Sequence, residues 1–205
     1  MRPTLYIPQA MFPSDTTFTV FDTETTGLNP KGGDRIVEIA GVKVEGGIID
    51  NEHAFTSLVN PECKISKEAS RINKISNEDL VGAPSITEVL PQFLDFAKGS
   101  ILIAHNAEFD RGFLEAEKEA CWGYVEIPEC LCTMKLSRSI FSAEYRHNLD
   151  VVSKRLNLSM PEARHRALPD VLLTAQVLLK LIETGKISSL DKLRECASLQ
   201  TAVWR

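Results

Sequence analysis

The sequence has few of the features that mark secreted, membrane-spanning or strongly basic proteins. Its 205 residues include five cysteines, an odd number without repeated spacing, which argues against a disulfide framework and against a zinc site built from cysteine pairs. No apolar run approaches the roughly 20 residues of a membrane-spanning helix, and the N-terminal segment lacks the apolar core of a signal peptide. We therefore predict reduced thiols, a cytoplasmic location and no membrane partner.

Positive charge is also scarce. The 23 Lys and Arg residues are outnumbered by 28 Asp and Glu residues, which gives a formal net charge of -5. This balance argues against broad electrostatic binding of nucleic acid, but not against a local phosphate site bridged by cations. The 43% hydrophobic content suits one globular domain with a full core. We predict an N-terminal extension at residues 1–15, a main domain at 16–184 and a C-terminal helical tail at 185–205.

Strand-like and helix-like patterns alternate along the main domain. Three sequential strands are predicted from the run that ends near Thr25 and from two β-rich runs joined at Gly46-Gly47, and residues 100–105 form a short buried strand. Apolar residues at helical spacing predict helices at 84–99, 107–122, 133–141, 148–156 with Asn148 as N-cap, and 167–184. A strand meander followed by mixed strands and helices indicates an α/β fold.

Two carboxylates, Asp22 and Glu24, end the first predicted strand, in the stretch FTVFDTETTGLNP. Side chains alternate along a strand, so both carboxylates point to the same face. Two like charges on one face repel each other unless a cation, a shared proton or solvent relieves the repulsion, and oxygen ligands suit Mg²⁺ or Mn²⁺. The pair alone indicates either a metal site or a solvated strand end.

Further titratable residues stand at the ends of other predicted elements. Asp110 follows the strand at 100–105, and His165 precedes Asp170 by five positions at the start of the last long helix. Functional side chains collect at strand ends in α/β sheets. Four carboxylates and one histidine can therefore share one cleft.

Three motifs occur in a fixed order: DTETTG at 22–27, AHNAEFD at 104–110 and HRALPD at 165–170. Together they resemble the DEDDh 3′ to 5′ exonucleases, most closely the proofreading epsilon-subunit type of bacterial DNA polymerase III, over residues 18–182. The resemblance implies a ribonuclease H-like fold with a mixed central sheet flanked by helices. It also implies hydrolysis of terminal phosphodiester bonds of DNA, with release of nucleoside monophosphates, in proofreading or repair.

The resemblance also assigns roles to the motif residues. Asp22, Glu24 and Asp170 would ligate two divalent cations, Mg²⁺ or Mn²⁺, and Asp110 would add a ligand directly or through water. His165 would be the general base. This assignment agrees with the chemistry, because two cations can activate water and stabilise the leaving 3′ oxygen while an imidazole accepts the proton.

Substrate contacts follow from the same resemblance. The family holds the terminal nucleotide with a glutamate and a histidine after the third strand; Glu68 matches the first, but Asn73 replaces the histidine. An asparagine can still hydrogen-bond a sugar or phosphate. Further substrate-binding residues are predicted within the first two motifs and beside them: Thr25, Thr26, Gly27, Leu28, His105, Asn106 and Phe109.

Structural interpretations compete with several of these assignments. His105 ends an apolar strand, and histidines at such positions are typically structural residues with hydrogen-bonded rings. Leu28 is predicted either to wedge against the last base or to pack against the protein, and Phe109 fits the buried stripe of a helix. His53 and His147 lie in polar sequence and are predicted to be surface residues.

The predicted substrate is the single-stranded or frayed 3′ end of DNA. An exoribonuclease of the same fold that trims RNA 3′ ends would use the same five residues and is the first alternative. A non-catalytic module that binds nucleic acid or a polymerase is the second. Such a module is expected to have lost acidic ligands, whereas this sequence retains all of them.

The segment after the last motif helix bears on a polymerase partner. It is GKISSLDKLRECASLQTAVWR, with no long Pro/Gly/Ser linker, and it predicts one short amphipathic helix with Leu190, Leu193, Ala197 and Val203-Trp204 on its apolar side. We therefore expect a self-sufficient exonuclease that binds a polymerase weakly or not at all through this tail.

Overall fold

A mixed five-stranded sheet forms the centre of the computed structural model, which describes residues 16–121, 125–162 and 164–199. The strands are β1 (Phe18–Thr25), β2 (Ile36–Glu45), β3 (Ile48–Leu58), β4 (Ile101–Ala104) and β5 (Cys130–Cys132). They lie in the order β3-β2-β1-β4-β5. The β1–β2 and β2–β3 pairs are antiparallel, whereas β4 runs parallel to β1 and to β5. The predicted mixed sheet is confirmed, including the three sequential strands.

Helices flank this sheet. They are α1 (Lys67–Asn73), α2 (Ile86–Phe96), α3 (Ala107–Ala120), α4 (Thr133–Ile140), α5 (Leu149–Arg155), α6 (Ala167–Gly185) and α7 (Leu190–Ala197). Local capping explains several starts: the Ser85 N–H donates to the Glu88 side chain at the start of α2, and Asn148 caps α5 by accepting from the Val151 N–H. The five predicted helices and the predicted N-cap are confirmed.

Two large apolar clusters form the core, one on each side of the sheet. Alternation along β1 sends Phe18 and Val20 to the side of α6 and Phe21 to the side of α2 and α3. Helix α6 packs across β1 and β2 with its buried leucines and valines. Its first turn therefore lies near the end of β1.

The predicted tail helix is present as α7. Leu193 and Ala197 are buried in the same cluster as α6, and Arg194 forms a bidentate pair with Glu129 beside β5. The division of the chain into extension, domain and tail stays a prediction. The proposed extension at 1–15 and the apolar pair Val203-Trp204 lie outside the described residues.

The sequence analysis also made predictions about the cysteines and about membrane-spanning helices. The cysteines are free thiols: Cys121, Cys130 and Cys132 are buried, Cys196 is half-buried and Cys63 is exposed. Among the residues that the structure describes, none of the helices combines the length and the apolar character that a bilayer crossing requires.

Candidate active site

Three carboxylates meet at one end of β1. Asp22 and Glu24 project from the same side of this strand, and Asp170 lies in the first turn of α6. One oxygen from each lies within 4.8 Å of the others. Asp170 is buried and the other two are half-buried. The predicted convergence of these three residues is thus present.

Asp110, on the first turn of α3, has a different environment. It is 2% exposed, and its Oδ1 accepts hydrogen bonds from the N–H of Thr23 at 3.1 Å and from the Thr23 hydroxyl at 2.8 Å. It is not part of the group of three, yet its charge raises the pKa of Asp22. Thr23, whose side chain alternates with those of Asp22 and Glu24, therefore ties the fourth carboxylate to β1.

Burial dominates the electrostatics of the cluster. Desolvation raises the pKa of Asp22 well above its usual value, and the charges of Asp110 and Glu24 add to this rise. Desolvation likewise raises the pKa of Glu24 to about 7 and that of Asp110 to about 7. The charge of Arg164 lowers the pKa values of Asp22 and Glu24, and that of Arg166 lowers the pKa of Glu24, but neither offsets the burial. Hard divalent cations supply further positive charge to oxygen ligands. The residues present therefore fit a divalent cation.

Replacing Glu24 with glutamine is expected to raise the melting temperature of the cation-free protein at about pH 8, but hardly at about pH 5. The pKa of Glu24 rises from 4.5 to about 7 in the fold, through burial and then through the charges of Glu38 and Asp110. Its protonated form stabilises the fold, and this contribution is lost as the pH rises through about 7. Glutamine is neutral at both pH values, so the Glu24→Gln protein does not lose this stability as the pH rises.

Melting curves in EDTA measure this effect. Glu52→Gln, at an exposed position on β3, is the control for loss of one negative charge. A Glu24→Gln shift of the same size at both pH values would contradict the burial of a charged Glu24.

His165 lies immediately before α6. It is exposed, as predicted for a loop histidine, and its φ of 63° is in the left-handed region that residues with a Cβ rarely adopt. Its neighbours Arg164 and Arg166 are both paired with carboxylates. Arg164 donates to Asp150 and also forms an ion pair, without hydrogen-bond geometry, with Asp170.

Arg166 pairs with Glu38, which the sequence analysis did not single out. Glu38 lies opposite Glu24 in the β1–β2 ladder, and its buried side chain accepts two hydrogen bonds from Arg166. In the sequence, the only indication of this ion pair was that arginines flank His165 on both sides. Nothing local indicated which carboxylates they would contact.

The first-motif residues predicted to bind substrate form a tight turn after β1. The Thr25 hydroxyl donates to the Gly27 carbonyl, and the Thr26 hydroxyl donates to Asp34. A Cβ on Gly27 would come within 2.4 Å of the Asp34 carboxylate, so a side chain here would displace that carboxylate from its hydrogen bonds with the Thr26 hydroxyl and the Asn29 N–H. Leu28 is 83% exposed at the tip, which excludes the packing interpretation and leaves its side chain free for a ligand.

Glu68 and Asn73 lie at opposite ends of α1. Glu68 is exposed in the first turn, whereas Asn73 is 2% exposed. The Asn73 side chain donates to the Thr25 carbonyl at 3.3 Å and accepts from the Ile75 N–H at 3.0 Å. These contacts brace the end of β1 against α1, so the predicted nucleotide contact of Asn73 stays a prediction.

The second-motif residues other than Asp110 have mostly structural contacts. The His105 ring nitrogens contact the Thr133 hydroxyl at 2.8 Å and the His147 carbonyl at 2.9 Å. Burial lowers the pKa of His105 to about 4, so the ring is neutral at physiological pH. Asn106 is the exposed N-cap residue of α3, and Phe109 packs 4.9 Å from Phe113, measured between ring centroids. Their predicted substrate contacts stay predictions.

The surface prediction for His147 is wrong. It is 7% exposed, and its ring contacts the Ser137 hydroxyl and the Glu144 carbonyl, both at 2.9 Å. These partners satisfy both ring nitrogens, which allows burial in a polar stretch of sequence. His53 is exposed as predicted.

Comparisons with known proteins agree with this geometry. The model of the family RNase_T, described as "Exonuclease", matches residues 19–178. A DNA polymerase III subunit epsilon-like protein of Rhodobacter capsulatus is 42% identical over 175 residues, which cover 85% of this chain but 25% of that protein. The chain thus spans about a quarter of that relative's length.

Solved structures of nucleases have a similar fold. Exonuclease X in complex with 5′ overhanging duplex DNA is 32% identical with a TM-score of 0.71, over 87% of this chain and 98% of that chain. The nuclease domain of 3′hExo, a DEDDh family member bound to rAMP, is 18% identical with a TM-score of 0.70, over 82% of this chain and 92% of that chain. The second likeness concerns the fold alone. The predicted ribonuclease H-like fold is confirmed.

Proposed function

Because the chain belongs to the RNase_T exonuclease family, we propose that it is a metal-dependent 3′ to 5′ exonuclease that releases nucleoside monophosphates from DNA ends in proofreading or repair. The predicted family is confirmed, and it supports a hydrolase of phosphodiester bonds as the enzyme class. The convergence of Asp22, Glu24 and Asp170 carries the proposal.

The family implies a divalent cation, and the acidic cluster fits one. We propose two ions, Mg²⁺ or Mn²⁺, held by Asp22, Glu24 and Asp170, with Asp110 as a further ligand directly or through water. When bound, such ions supply positive charge to the scissile phosphate and to its leaving 3′ oxygen.

Other residues of the chain would act on the water and on the terminal nucleotide. His165, exposed beside the first turn of α6, accepts the proton of the attacking water on an imidazole nitrogen. Leu28 offers an exposed apolar side chain for the last base, next to the turn formed by Thr25, Thr26 and Gly27. Glu68 offers an exposed carboxylate for the terminal sugar.

DNA is the proposed substrate rather than RNA. The support is the likeness, above 30% identity, to an epsilon-like polymerase subunit and to an exonuclease in complex with duplex DNA. The alternative is trimming of RNA 3′ ends. Rates on DNA and RNA oligonucleotides of one sequence distinguish the two, because only RNA offers a 2′ hydroxyl.

We expect single nucleotides to be released from the 3′ end, fastest on single strands. A paired end must first be unpaired, at a cost of a few kcal/mol that a mismatch reduces, so a mismatched primer end should be shortened faster than a matched one. Gel time courses with 5′-labelled DNA should show a ladder that shortens stepwise, and 3′-labelled DNA should release its label first as a mononucleotide. Internal cleavage products at early times would contradict the exonuclease proposal.

We propose that the enzyme works without stable attachment to a polymerase through α7. Leu193 and Ala197, the apolar side of this helix, are already buried against the core, which leaves its polar side exposed. Wild type and Lys192→Glu, a change on the exposed side, are expected to retain equally little of the host replicative polymerase in a pull-down. Strong retention by wild type that Lys192→Glu abolishes would contradict the stand-alone proposal.

A further inference from the structure

The segment around His165 is held on both sides. On one side, Arg164 donates to Oδ1 of Asp150 through Nε at 3.0 Å and Nη2 at 2.6 Å. On the other side, Arg166 donates to Glu38 through Nε at 3.0 Å and Nη2 at 2.7 Å. A left-handed backbone at a residue with a Cβ persists only where surrounding contacts maintain it, and these two pairs are such contacts.

Glu38 makes the stronger of the two attachments. Its side chain is 6% exposed, and its Oε2 also accepts the N–H of Ala167, the first residue of α6, at 3.0 Å. One buried carboxylate thus fixes the guanidinium of the residue after His165 and the first N–H of the helix that carries Asp170. The planar fork of arginine makes the pair directional as well as attractive.

We propose that Glu38 is a positioning residue for His165 and acts through Arg166 and the Ala167 N–H. The inference rests on the proposed role of His165 as general base. Glu38 is outside the group of three converging carboxylates, and its two oxygens already accept three hydrogen bonds from these groups, so its role is to orient the segment. General-base catalysis depends on a positioned imidazole, so a displaced segment slows the reaction without weakening substrate binding.

The chain contains a second pair with the same geometry, which serves as a matched control. Glu117 is buried on α3 and accepts from Arg35 through Nε at 2.9 Å and Nη2 at 2.7 Å. Its Oε1 also accepts the N–H of the next residue, Ile36, at 3.0 Å. Glu117→Gln therefore removes the same charge from the same kind of three-donor site, but away from His165.

The experiment compares wild type with Glu38→Gln, His165→Ala, the double variant and Glu117→Gln. Initial rates on a single-stranded DNA oligonucleotide with Mn²⁺ give kcat and KM, and melting curves at increasing Mn²⁺ give stability and the Mn²⁺-dependent rise in melting temperature. At saturating Mn²⁺, Glu38→Gln is expected to lower kcat by roughly 10- to 100-fold, with KM unchanged and the Mn²⁺-dependent rise in melting temperature retained. Mn²⁺ is kept saturating because the charge of Glu38 also acts on Glu24. In the His165→Ala background it should change kcat by less than about twofold, because the residue that it positions is gone.

Glu117→Gln should lower the melting temperature as much as Glu38→Gln does, with kcat close to that of wild type. If Glu38→Gln does not fold, Arg166→Gln, which leaves Glu38 and its contact with the Ala167 N–H in place, is tested in the same cycle. Arg166→Lys keeps the positive charge but loses the two-pronged hydrogen bonding of the guanidinium. Its kcat should therefore lie between those of Arg166→Gln and wild type.

Three results would overturn the inference. The first is a loss in the double variant equal to the product of the two single losses, and the second is loss of the Mn²⁺-dependent rise in melting temperature in Glu38→Gln. The third is an equal loss of kcat in Glu117→Gln. A His165→Ala protein that works at the wild-type rate would instead refute the general-base assignment itself, so the two failures are distinguishable.

Discussion

Replacing Asp22 with alanine is expected to abolish exonuclease activity while the protein remains folded. Asp22 is one of three carboxylates whose oxygens lie within 4.8 Å of one another, and it supplies negative charge from the central strand β1. Bound cations contribute several kcal/mol to the transition state, which corresponds to a loss of roughly 10³-fold or more. Initial rates of DNA degradation with Mg²⁺ or Mn²⁺ measure the effect. EDTA should remove the activity of wild type, and either cation should restore it.

Stability distinguishes this loss from misfolding. Saturating Mn²⁺ should raise the melting temperature of wild type, because the ion binds the folded cluster and relieves the repulsion there, and this shift should shrink in Asp22→Ala. Asp191→Ala, at a position on α7 whose side chain is 97% exposed, controls for the loss of one carboxylate. Degradation of DNA by Asp22→Ala at the wild-type rate would refute the metal site.

Replacing His165 with alanine is expected to lower kcat by roughly 10²- to 10⁴-fold, the usual contribution of a general base. The Mn²⁺-dependent rise in melting temperature should persist, because the imidazole is absent from the three-carboxylate cluster. Single-turnover rates at saturating Mn²⁺ isolate the chemical step and should show this loss of rate in full.

His53→Ala is the matched control for this substitution. Like His165, His53 is exposed, but it lies on β3, where its ring contacts the Asp50 carboxylate. We expect the His53→Ala protein to match wild type in rate. A single-turnover rate of His165→Ala equal to that of wild type would contradict the assignment of His165.

Local patterns in the sequence predicted most of the fold. The alternation that placed Asp22 and Glu24 on one face is a property of a single strand, and the helical spacing before residue 185 is a property of single helices. β5 and α1 were not predicted. β5 has only three residues, too few to display an alternation, and α1 buries only Asn73, so it lacks the apolar stripe that marks an amphipathic helix.

The parts of the site that the sequence did not reveal depend on distant pairings. Arg166 and Glu38 are 128 positions apart, and the burial of His147 depends on polar groups contributed by Ser137 and Glu144. Such contacts form only when the elements are packed together. Motif spacing identified which residues converge, but not which neighbours orient them.

The carboxylates and the histidine belong to parts of the molecule that differ in how readily they open. Asp22 and Glu24 lie on the central strand, and Asp170 lies on α6, the helix that supplies much of the larger core cluster. Amides in such segments exchange with solvent mainly through global unfolding, whereas exposed links between elements open locally at far lower cost. His165 is on such a link, tied down by side-chain pairs instead of core packing. The arrangement of the three carboxylates therefore depends on the stability of the whole fold, whereas the position of the imidazole depends on a few side-chain pairs.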